Sequence, residues 1–171
     1  IHLGMSGRLC IVSPGDELNK HDHVDIHFKK KNLILRYRDP RRFGSILWTE
    51  SDPYIHKLIK NLGPEPLKDE FDAKYLFSRL RNKKQCIKNA IMDSHVVVGV
   101  GNIYASEALH YAGIRPHRIS KKVSMREVVS LVKAIKNVIN EAIKKGGSTM
   151  NDFFDVNGEN GYFQNEHKVY G

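Results

Sequence analysis

An α+β fold is what this chain predicts, with strands first and helices after. Three observations carry that reading. Short runs of branched and aromatic residues, broken by turn formers, fill residues 1 to about 50. Gly63-Pro64-Glu65-Pro66 then stiffens the path and removes backbone donors. Beyond it, apolar residues recur at helical spacing behind capping residues. The expected division is a β domain over 1–50, a linker over 51–65, a helical domain over 66–147 and a terminal segment over 148–171.

Leu9 to Val12, Val24 to Phe28, Leu33 to Arg38 and Ser45 to Thr49 are the expected strands. Ser13-Pro14-Gly15 and Lys29-Lys30-Lys31-Asn32 punctuate them. Ala73, Leu76, Phe77 and Leu80 have helix spacing, with Asp72 or Asp69 placed as the cap. Ile103, Ala105, Ala108, Leu109 and Ala112 mark a second helix, stopped by Gly113 with Pro116 beyond. Ser124-Met125-Arg126-Glu127 is a capping box, in which hydroxyl and carboxylate serve backbone donors reciprocally. Val128, Val132, Ile135, Val138, Ile139, Ala142 and Ile143 follow as one apolar face, ended by Gly146-Gly147. The helices around 96–102 and the Gly113-Ile114-Arg115-Pro116 connection read as a helix–two-turns–helix module.

The 171 residues are 40% hydrophobic, enough for a core, which excludes a disordered chain. Lys and Arg number 28 against 19 Asp and Glu, a formal charge of +9 that attracts polyanions, nucleic acid foremost; solubility is the plainer use of such charge. Arg79, Arg81, Lys83, Lys84 and Lys88 stand close together with no acid among them. Cys10 and Cys86 have no metal-ligand spacing, so a disulfide scaffold is excluded and a reducing compartment is expected. Without a signal peptide or long apolar span, the expected place is a bacterial cytoplasm, at the nucleoid, with no membrane partner.

Two short patterns make sense together around a bent duplex. Ile1-His2-Leu3-Gly4-Met5-Ser6-Gly7 and Arg38-Asp39-Pro40-Arg41-Arg42-Phe43-Gly44 each set a side chain able to enter a base stack, Met5 or Phe43, on a turn-forming segment. Proteins that kink DNA use such apolar wedges between base steps. The plainer alternative is that both are core residues. Val98-Gly99-Val100-Gly101-Asn102 runs into a helix start, where glycines allow close approach and free N–H groups favour an anion, with Asn102 as a donor at the cap. A tight turn is the competing reading. His23, Asp25 and His27 share a strand face, but a lone strand offers no closed metal shell. His21, beside Lys20, reads instead as a phosphate donor or as ordinary strand-end polarity. No nucleophile arrangement stands out: there is no Walker loop, no Ser–His–Asp set and no distinctive lysine.

The runs His2-Leu3-Gly4-Met5-Ser6-Gly7, Lys20 to Asp25, Asp39 to Gly44, Leu62 to Leu67, Val97 to Glu107, Gly146 to Thr149 and Val169-Tyr170-Gly171 together resemble bacterial formamidopyrimidine-DNA glycosylase, in order and over essentially the whole chain. The resemblance implies part of an N-terminal β-sandwich followed by a helix–two-turns–helix DNA-binding domain. It implies base-excision repair: removal of oxidised purines such as 8-oxoguanine and formamidopyrimidines from double-stranded DNA, then lyase cleavage at the abasic site, by a monomer. Met5, Arg41 and Phe43 would fill the void left by the flipped base, Arg41 facing the orphaned cytosine. His21, Arg41, Arg42, Lys83 or Lys84, Asn102 and Tyr170 would hold backbone phosphates. Lys88 would lie near the lesion, as would Ser148, Thr149, Asp152 and Phe153 on a loop closing over the base.

The departures are equally specific. The family's N-terminal proline nucleophile and the glutamate after it have no counterpart, nor do an early-hairpin lysine and a four-cysteine zinc finger with its arginine. The expectation is an internal fragment that keeps the binding elements and holds no catalytic residue, metal or cofactor of its own, zinc belonging to the complete protein. The alternative is a non-catalytic nucleic-acid-binding protein using the same module. A half sandwich is also expected to expose strand edges and an apolar face.

Overall fold

The computed structural model describes residues 1–146 together with Lys168 and Val169. The chain divides into two compact units, one built on Ile1–Glu50 and the other on Ser51–Lys144 with Lys168 and Val169. The Gly63-Pro64 segment belongs to the second unit.

The first unit is a three-stranded antiparallel sheet of β1 (Arg8–Val12), β2 (Asp22–Phe28) and β3 (Leu33–Arg38), in the order β1-β3-β2. The β2–β3 connection is short because Asn32 takes a left-handed φ of 48°, which Asn tolerates better than most residues. Register sets Leu35 between Ile11 and Ile26, and Tyr37 between Leu9 and Val24. Alternation therefore makes one face wholly apolar. That face is incompletely covered: Ile11, Val24, Ile26 and Phe28 are all exposed, as expected for part of a sandwich.

The opposite face carries a buried Ile34 at one end and tightly paired polar residues at the other. Arg36, buried, donates from Nε and Nη2 to both Asp25 oxygens at 2.9 Å and from Nη1 to the Glu17 carbonyl at 2.9 Å. Arg38 grips Asp22. These ion pairs consume the carboxylates that a His/Asp metal reading of residues 21–27 would need. Among the described residues no group of three His, Cys, Asp or Glu is arranged for a metal.

The Arg38 hydrogen bond, opposed by burial and helped by the Asn19 N–H, holds the Asp22 carboxyl at about 2 against an ordinary 3.8. A lowered carboxylate stabilises the fold above its unfolded value and stops doing so as pH falls through its folded value. The shift corresponds to about 2 kcal/mol. Urea unfolding should show wild type ahead of Asp22→Asn by that amount at pH 6, with the gap closing between about pH 4 and pH 2.

The expected strand over Ser45–Thr49 does not form. Ser45 exchanges N–H and C=O with His2 at 2.7–2.8 Å, and no described strand lies beside the residues that follow. Leu47 and Trp48 are accordingly exposed.

The second unit packs α1 (Ala73–Leu80), α2 (Ile87–Met92), α3 (Asn102–Tyr111) and α4 (Met125–Lys144). Asp72 caps α1 by accepting from the Tyr75 N–H at 2.7 Å. The α4 box forms in full: Glu127 accepts from the Ser124 N–H at 2.8 Å, and the Ser124 hydroxyl accepts from the Glu127 N–H at 3.4 Å. Arg118 also pairs with Glu127, tying the cap to the preceding turn. The buried face of α4 includes Leu131 and Ala134 beside the expected residues, whereas Ile143 is exposed. The helix α2, expected before the 96–102 turn but without bounds, is only six residues long and is fixed from outside. Its Ile87 N–H donates to the Arg118 carbonyl at 2.8 Å, and Ser120 donates to Gln85 from both N–H and Oγ.

Candidate nucleic-acid interface

In the first unit, the segments carrying Met5 and Phe43 abut. A Cβ on Gly4 would stand 2.7 Å from the Phe43 carbonyl carbon, and Gly4 itself has a φ of +63°. Only glycine meets both conditions without strain. Met5 and Phe43 are 69% and 59% exposed, so neither is the core residue that the plainer reading allowed. The Arg41 guanidinium stacks 5.0 Å from the centre of the Phe43 ring, and Arg42 is exposed at a φ of 58°.

Beneath this edge sits Asp39, fully buried. Its carboxylate accepts from Ser6 Oγ at 2.7 Å, Tyr37 Oη at 2.9 Å and the Gly44 N–H at 2.8 Å. Burial alone would push its pKa up; these donors outweigh it and hold the group far below the usual carboxylate range. Ser6 Oγ in turn accepts from the Arg41 N–H at 3.1 Å. His21 is half-buried and contributes its carbonyl to the Asp39 N–H at 3.0 Å, while His23 Nε2 lies 2.9 Å from the Asp39 carbonyl oxygen.

In the second unit, the loop before α3 carries the glycines. Gly99 is left-handed at +74°, and added Cβ atoms at Gly99 and Gly101 would meet nothing, so the backbone there is open to a ligand. Gly101, not Asn102, is the N-cap of α3; Asn102 is the first helical residue and is exposed. The extended backbone falls at Gly101, so Asn102 stands one residue inside the cap. Gly63 supports this loop from below. Its N–H donates to Ser94 at 2.8 Å, and a Cβ there would stand 2.5 Å from the Val96 carbonyl.

The basic cluster resolves into distinct residues. Lys83 Nζ is 2.8 Å from Asp93, whose carboxyl it draws down to about 2, with His95 N–H as a further donor. Lys84 is exposed and Lys88 half-buried on α2, and neither has an ion pair among the described residues. Glu107, which the sequence reading left without a role, is buried on α3 and accepts from the Lys168 N–H at 2.9–3.0 Å and the Val169 N–H at 2.9 Å. Ser148, Thr149, Asp152, Phe153 and Tyr170 lie outside the described residues.

The second unit thus carries an open glycine turn at a helix start and two lysines without an ion pair among the described residues, and the first carries a paired Met/Phe edge. The H2TH domain of formamidopyrimidine-DNA glycosylase matches residues 62–154, and the N-terminal domain of the same family matches residues 1–46. The chain belongs to the formamidopyrimidine-DNA glycosylase family. Formamidopyrimidine-DNA glycosylases of Neisseria meningitidis and Thioalkalivibrio sulfidiphilus are 51% and 52% identical to it, across 100% of this chain and 63% of each relative. The chain thus spans under two thirds of the length of these relatives. A crystal structure of MutM (Fpg) from Thermus thermophilus superposes with a TM-score of 0.87 at 33% identity, over 99% of this chain and 62% of that one. Lactococcus lactis Fpg bound to DNA containing an abasic site superposes at 0.82 with 32% identity, over 97% of this chain and 60% of that one.

Zinc, which the resemblance assigns to the complete family protein, finds no ligand set in the described residues. Cys10 and Cys86 belong to different units and neither has metal-ligating company. No helix of the described residues is long and apolar enough to cross a membrane.

Proposed function

We propose that these residues are the DNA grip of a base-excision repair enzyme that removes oxidised purines, 8-oxoguanine and formamidopyrimidines among them, and cleaves the resulting abasic site. The observation that carries the reading is the exposed Met5–Arg41–Phe43 edge, raised on two abutting turns in a chain of net charge +9. An enzyme acting on a base in duplex DNA takes it out of the stack, and the gap left behind needs filling. Met5 and Phe43 supply apolar surface for that gap, and Arg41 supplies donors for the orphaned cytosine and the adjoining backbone.

Phosphates fall to His21, Arg42, Asn102, Tyr170 and the lysines just before α2. Of the two adjacent lysines, Lys84 suits a phosphate better, because the charge of Lys83 is already matched by Asp93. The N–H groups at the start of α3 add a neutral anion site. Lys88 stands toward the lesion strand, with Ser148, Thr149, Asp152 and Phe153 on the closing loop. The amine that attacks the sugar and the zinc of the complete protein lie outside these residues. The working site is the bacterial nucleoid, as a monomer.

A duplex with one 8-oxoguanine opposite cytosine tests this. The whole protein should nick it and be trapped on it by borohydride, whereas the 171 residues alone should bind it without forming a covalent adduct. An intact duplex after incubation with the whole protein overturns the repair reading. An adduct on the 171 residues overturns the division of labour.

A further inference from the structure

Asp39 has a feature that the fold alone does not require. It is a buried carboxylate with no ion pair among the described residues, satisfied wholly by neutral donors. Such an arrangement adds little net stability over a well-packed apolar side chain, but it fixes geometry, since every donor must point at one small group. The donors are spread to a purpose. Ser6 follows Met5 directly; Gly44 follows Phe43 directly; and Ser6 Oγ also receives the Arg41 N–H at 3.1 Å. Met5 and Phe43 each adjoin a residue that donates to this carboxylate, and Arg41 reaches it through Ser6.

A second observation is the backbone of Arg42. It sits at a φ of 58°, a region costly for a residue with a long side chain, and its N–H donates back to the Asp39 carbonyl at 3.3 Å. This strained residue turns the chain between Arg41 and Phe43, on the same segment where the Arg41 guanidinium lies over the Phe43 ring. Strain of this kind persists only where surrounding contacts over-determine it. Here those contacts converge on Asp39.

We propose that Asp39, through Ser6 and the Gly44 N–H, is a positioning residue that sets Met5, Arg41 and Phe43 at one height so that they enter a single gap in the duplex together. The proposal rests on the DNA-binding reading above. Asp39 touches no DNA in this account; it acts through the two turns. Its loss should leave phosphate contacts, and so affinity for undamaged duplex, largely intact while disturbing insertion. Misplacement of an otherwise intact group by about 1 Å is enough to lower such a step severely.

The test uses a duplex with an abasic site and 2-aminopurine in the neighbouring position, whose fluorescence rises when it is unstacked. Anisotropy of a distal label gives affinity in the same titration, and circular dichroism follows folding. Ser6→Ala and Asp39→Asn should bind an undamaged duplex within about threefold of wild type, yet on the abasic duplex lose roughly fivefold or more of the fluorescence rise. Phe43→Ala defines the signal without the wedge. Tyr37→Phe, which removes one donor only, should fall between. A full wild-type rise in folded Ser6→Ala and Tyr37→Phe overturns the positioning role even where Asp39→Asn fails to fold. A wild-type chain that does not bind the duplex overturns the DNA reading itself, and the positioning role with it.

Discussion

Glu107→Ala should lower the stability of the helical unit by about 3 kcal/mol, the range for removing a buried charged acceptor from several donors. Glu107 is buried on α3, and its two oxygens take the N–H groups of Lys168 and Val169. The substitution leaves those donors without their acceptor and opens a cavity where a buried side chain stood. Thermal unfolding should show the loss as a lower Tm. Hydrogen exchange at Lys168 and Val169 should quicken by two orders of magnitude or so, as the free energy implies. Glu107→Gln keeps the size and one acceptor oxygen, and should recover part of both. The functional consequence is local: Tyr170, proposed for a phosphate, is the next residue in the chain after Val169.

The second large effect is expected at the wedge. Met5→Ala with Phe43→Ala should weaken binding to abasic-site duplex by ~10-fold to 100-fold, on the scale of one or two lost aromatic or apolar contacts with bases. Binding to undamaged duplex should change by no more than about twofold, because sequence-independent affinity resides in the phosphate contacts, which these substitutions leave alone. Arg41→Ala should act differently. It removes discrimination for cytosine over other bases facing the gap, worth ~1–3 kcal/mol for a guanidinium reading a base edge. Competition anisotropy with the four facing bases separates the two effects. The distinction matters because both Phe43 and Arg41 belong to one stacked pair, 5.0 Å apart.

Much of this was legible in residue order, for reasons that are local. Asp72 and the Ser124–Glu127 box announce their helices because capping is a contact between near neighbours. The exposed Met5 and Phe43 were legible because Gly4 and Asp39-Pro40 are turn formers with specific backbone demands. What escaped depends on partners far along the chain. The bounds of α2 escape because it is too short to show periodicity and is held by Arg118 and Ser120 some thirty residues on. Ser45–Thr49 has strand composition, yet among the described residues only His2 pairs with Ser45. Asp39 was visible as part of a motif, but its role needs Ser6, more than thirty positions away, to be seen beside it.

The most direct test of the account is a salt titration of the chain binding two duplexes, one undamaged and one with a single abasic site opposite cytosine. The abasic site should be preferred ~10-fold or more at every salt concentration, and for both duplexes log K should fall linearly with log salt with a slope of about −4, the value for roughly four or five neutralised phosphates. Equal affinities for the two duplexes, or affinity indifferent to salt, would contradict it.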